Sequence, residues 1–127
     1  MAFALWPALH HLVIQRTSAD PWAFGGWSMY CVPKLEVGVG IVGIRGEQAV
    51  ALQRSVLPPA AAARIAVFNR ARRAMGTMLT PDPIARVVLE GIPELDAVQI
   101  VVRQGWLDPA TGRIAAREWT YTYARPR

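Results

Sequence analysis

The stretch AVQIVVRQGWLDPATGRIAAREWTYTY (97–123) decides the fold. Two β-rich runs, 97–106 and 113–123, flank Asp108-Pro109-Ala110-Thr111-Gly112. That connector has the composition of a type I turn followed by a glycine at positive φ, which is the signature of a tight hairpin. In the second run Trp119, Tyr121 and Tyr123 fall on one face and Glu118, Thr120 and Thr122 on the other, the period-2 pattern of a strand with one face on a core.

Toward the amino terminus, two proline-opened helices precede this hairpin. Pro58-Pro59 opens a helix over 59–77, prolines being tolerated where a helix has no N–H to satisfy. Its expected apolar stripe is Ala61, Ile65, Phe68, Ala71, Met75 and Met78-Leu79, with Arg70 and Arg73 opposite, Arg64 and Arg72 at its flanks, and Gly76 as the stop. Asp82-Pro83 starts a second helix over 83–90, Asp82 capping and Gly91 and Pro93 closing it, with Ile84, Val87, Val88 and Ile92 inward. Before these, KLEVGVGIVGIR (34–45) reads as a strand and EQAVALQRS (47–55) as its partner across Arg45-Gly46-Glu47.

Two hairpins around a helical pair predict an α+β domain over 34–127, in β-β-α-α-β-β order. The sheet is four-stranded and antiparallel, with both central helices on one face. Residues 1–33 form an apolar arm, helical over 2–16. It carries six of the chain's eleven aromatic residues (Phe3, Trp6, Trp22, Phe24, Trp27 and Tyr30) but only two formal charges, Arg16 and Asp20. Its uncharged stretch 1–15 is shorter than the roughly 20 apolar residues a membrane-crossing helix requires, and no basic residue precedes it as in a secretory leader.

Bulk properties narrow the function classes. A chain of 127 residues is one domain by length, and 53% hydrophobic against 18% charged residues argues for a folded core. A single cysteine, Cys31, rules out an internal disulfide and a thiolate metal site. The net charge of +5 is segregated: between Gln48 and Pro81 five arginines meet no acid. Arg64, Arg70, Arg72 and Arg73 of that segment are the expected contacts to an anionic surface.

Signatures of chemistry fail on context. Gly38-Val39-Gly40-Ile41-Val42-Gly43 matches G-x-G-x-x-G, yet Pro33 precedes it and Gly46 comes just after it. No acid stands about 20 residues on, so the glycines belong to a strand and no nucleotide cofactor is expected. His10 and His11 diverge by about 100° on a helix and have no Asp, Glu or Cys three or four residues away, so no metal site is expected. Ser28 lies outside any nucleophile elbow.

The expectation is therefore a non-catalytic accessory or interaction domain, docked through the arm to a protein partner or an anionic membrane surface. The alternative is a small enzyme or ligand-binding module with a pocket between sheet and helices, rimmed by His10, His11 or Cys31. A third reading is a sequence-blind nucleic-acid binder, using the arginine helix for phosphates and the Trp119, Tyr121 and Tyr123 face for stacking.

Overall fold

The computed structural model describes residues 2–17, 36–108 and 110–126. In chain order these form α1 (Ala2–Thr17), β1 (Val37–Arg45), β2 (Gln48–Ala51), α2 (Pro59–Met75), a 3-10 turn (Gly76–Met78), α3 (Asp82–Gly91), β3 (Ala97–Leu107) and β4 (Ile114–Ala124). The fold is α+β, with one antiparallel sheet in the order β2-β1-β3-β4.

Both hairpins turn where glycine permits it. Gly46 takes φ 57° between β1 and β2, and its N–H donates to the Asp96 carboxylate at 2.6 Å. Gly112 takes φ 64° between β3 and β4, its N–H donating to the Asp108 carbonyl at 2.8 Å. The Asp108 carboxylate accepts from Ala110 N–H (3.0 Å) and the Thr111 hydroxyl (2.7 Å), so this aspartate organises the turn from within.

Register aligns the apolar sets of three strands. Val39 pairs with Val102, and Val102 with Trp119; Ile41 pairs with Ile100, and Ile100 with Tyr121; Gly43 pairs with Val98, and Val98 with Tyr123. Val98, Ile100 and Val102 are fully buried, each such side chain contributing about 1.5–3 kcal/mol. Ala61, Ile65 and Phe68 of α2, with Ile84, Ala85, Val88 and Leu89 of α3, cover them, and Trp119, Tyr121 and Tyr123 pack half-buried at the edge of the same cluster.

The boundaries depart from expectation in four places. β2 ends at Ala51 rather than near Ser55, because Leu52 and Leu57 turn into the core and the chain bends at Gln53–Val56 to reach Pro58. α2 stops at Met75, where Gly76 at φ 56° returns its N–H to the Arg72 carbonyl. Asp82 does not cap α3: it is the first helical residue, Pro81 precedes it, and its carboxylate accepts from the hydroxyls of Thr80 (2.8 Å) and Tyr123 (2.5 Å). The buried stripe of α2 runs Ala61, Ile65, Phe68, Arg72, so the arginine takes the core position and Ala71 only its flank. The expected helical turn at Asp20-Pro21 lies outside the described residues.

Candidate functional site

α1 is the described part of the arm. Its carboxyl end rests on the 3-10 turn, where the Thr77 hydroxyl donates to the Thr17 carbonyl at 3.2 Å. Leu5, Leu9 and Leu12 follow helical spacing and are 71%, 56% and 47% exposed, with Trp6 at 38% beside them. Of the remaining arm residues, Phe3 has no described side chain, and Trp22, Phe24, Trp27 and Tyr30 lie outside the described residues.

The histidines divide as adjacent helical residues do. His10 is buried, its ring centroid 5.8 Å from that of Trp6. His11 is exposed and takes a hydrogen bond from the Gln15 amide at 2.8 Å. Cys31 lies outside the described residues. Among the described residues no group of three His, Cys, Asp or Glu side chains stands close enough to hold a metal ion.

A groove between α2 and α3 encloses about 120 Å³ and is lined by Arg64, Val67, Phe68, Ala71, Leu79, Thr80, Pro83 and Ile84. Small-molecule sites commonly enclose roughly 300–1,000 Å³, so this groove accepts at most a side chain. Neither histidine lines it, and Arg64 is its one charged residue.

The four arginines have different situations. Arg64 and Arg70 are exposed on α2. Arg73 is half-exposed and stands 3.9 Å from the Glu36 carboxylate. Arg72 corrects the sequence expectation: it is 0% exposed and is not available to a surface. Its guanidinium carbon lies 5.0 Å from the Trp119 ring centroid and 6.0 Å from that of Tyr121, and its Nη1 donates to the Leu79 carbonyl. The cation thus sits on the electron-rich faces of the edge strand. Helical periodicity does permit this placement, since 61, 65, 68 and 72 share one face. A charged residue on that face is the signal that an apolar-stripe reading discards.

Two further polar arrangements have no local sequence signature. The Tyr123 hydroxyl reaches Asp82 across 41 positions of sequence. That hydrogen bond, then the one from Thr80, lowers the Asp82 pKa below the ordinary aspartate value. Burial, then the Asp82 carboxylate, raises that of Tyr123. Arg125 donates to the carbonyls of Leu89 (2.5 Å), Ile92 (3.0 Å) and Leu95 (3.0 Å), closing the end of α3 and the loop after it. Comparison with protein-family models, curated proteins and solved structures finds no match to this chain.

Proposed function

We propose that this chain is a non-catalytic accessory or interaction domain, held at a membrane surface or within a larger protein assembly through its amino-terminal arm. The observation that supports it is the outward stripe of Leu5, Leu9 and Leu12, with Trp6, on a helix that carries no acidic residue. Covering such a stripe contributes on the order of 4 kcal/mol from leucine burial alone, given about 1.5–3 kcal/mol for a fully exposed side chain. After the cost of association, that sustains reversible attachment rather than permanent insertion. No helix among the described residues is long and apolar enough to cross a membrane. Arg64 and Arg70 supply exposed positive charge to orient the domain against an anionic partner.

Co-sedimentation with neutral and with anionic vesicles, and analytical ultracentrifugation alone, test this reading. The expected result is vesicle binding or concentration-dependent self-association, lost in Leu9→Glu. Binding to anionic vesicles falls as salt rises. A monodisperse monomer that binds neither vesicle removes the membrane version.

A further inference from the structure

The groove between α2 and α3 is open to solvent, apolar at its base and of opposite charge at its two ends. Phe68 and Ile84 are buried beneath it, while Arg64, Val67, Thr80 and Pro83 around it are exposed. It encloses about 120 Å³, against the roughly 150 Å³ of a protein cavity that holds one benzene ring. One leucine-sized side chain therefore fits. Apolar surface continues past the rim, with Val67 65% exposed and Met78, next in sequence to Leu79, 45% exposed.

Charge distinguishes the ends. α2 contains no acid, and among the described residues neither the Arg64 nor the Arg70 guanidinium has an ion pair or hydrogen bond. Arg64, Val67 and Arg70 stand at successive i, i+3 positions, so the exposed valine lies between two unpaired cations. At the far end, Arg72 donates to the Leu79 carbonyl, which sets Leu79 and Thr80 beside the last turns of α2. There the Thr80 hydroxyl donates to the Asp82 carboxylate at 2.8 Å. Arg64 precedes Ala71, which also lines the groove, by two helical turns, roughly 10 Å along the axis. On α3, Arg86 and Glu90 are exposed one turn apart and largely offset each other.

We infer that this groove docks an acidic amphipathic segment of a partner protein. The segment inserts one leucine-sized side chain and sets a carboxylate, one helical turn away, against Arg64; Arg70 meets a further carboxylate past Val67. Lipid headgroups or nucleic acid, negative throughout, would also meet the Asp82 carboxylate, whereas a peptide places its acids at one end only. No residue of α1 lines the groove, so the inference goes beyond arm docking and stands without it.

The test uses the full chain and capped helical peptides of alanine and glutamine. Each carries one leucine and a glutamate four residues before or after it, and binding is followed by NMR shifts of the Ala71 and Ile84 methyl groups. With a single anchor, saturation comes at concentrations on the order of millimolar. Alanine in place of the leucine weakens binding at least about tenfold, and glutamine in place of the glutamate about threefold. Arg64→Glu reverses the preference, favouring a lysine peptide over the glutamate one, a swap that a merely structural role would not produce. Ala71→Leu fills the groove with an uncharged side chain and abolishes peptide binding at unchanged or raised stability. Should that variant fail to fold, the charge swap still decides. Leu9→Glu leaves peptide binding intact, and Ala71→Leu leaves vesicle binding intact, so arm docking and groove docking fail separately. Equal binding of the glutamate, glutamine and lysine peptides, or binding of none, overturns the inference. So does self-association lost in Ala71→Leu, which would assign the groove to a second copy. Shifts of the same methyl groups on adding anionic vesicles would assign it to a membrane and overturn the inference as well.

Discussion

At the scale of single residues, the contact between Asp82 and Tyr123 ties the start of α3 to the edge strand and makes stability depend on pH at both ends of the range. The Asp82 carboxyl has a lowered pKa in the folded chain. Its contribution is therefore present above the unfolded value and is lost as pH falls below about 4. Tyr123 has a raised pKa, so its contribution is present below the unfolded value and fades as pH rises past about 10. Tyr123→Phe should flatten the acid limb of a stability-against-pH curve measured by urea denaturation, and should abolish the part of the alkaline limb due to this hydroxyl. Asp82→Asn should remove the acid limb contributed by this site. An unchanged acid limb in both variants would show that the hydrogen bond carries no folding energy.

Among the secondary elements, the approach of α3 to the loop before α2 is set by a missing side chain. A Cβ on Gly91 would lie 2.4 Å from Cγ of Pro58, a ring that cannot rotate away. Gly91→Ala should therefore cost about 1–3 kcal/mol by overpacking, outweighing the roughly 1 kcal/mol that alanine gains in a helix. In a Pro58→Ala background the same substitution should become neutral or stabilising. Additive effects in this double-mutant cycle would break the argument. Gly91 thus acts in packing as well as at the helix end, whereas a reading from the sequence sees only a stop signal. The same holds for α2: its stop at Gly76 is legible, but its buried stripe is rotated by one residue from the all-apolar choice, because the sheet offers Arg72 two aromatic faces.

Over the whole molecule, Arg125 joins the layers, since one guanidinium from beyond β4 donates to carbonyls of α3 and of the loop leading into β3. Arg125→Met should lower stability by about 1.5–3 kcal/mol, the range for hydrogen bonds to a charged group, read from the denaturation midpoint at unchanged slope. A change under about 0.5 kcal/mol would place Arg125 among ordinary surface residues.

The sequence by itself determined the α+β class, the element order and the positions of both hairpin turns, because period-2 alternation, prolines at helix starts and glycines at positive φ act over a few residues. It also determined that β1 is a strand despite its nucleotide-site spelling, since Gly43 leads into a hairpin and not a helix. Only the tertiary structure decided where Arg72 lies, which partner Asp82 takes, what Arg125 closes and which leucines of α1 stay uncovered. Those outcomes depend on groups brought together from positions tens of residues apart, and a charged side chain on an apolar stripe is stable only when such distant groups are there to meet it.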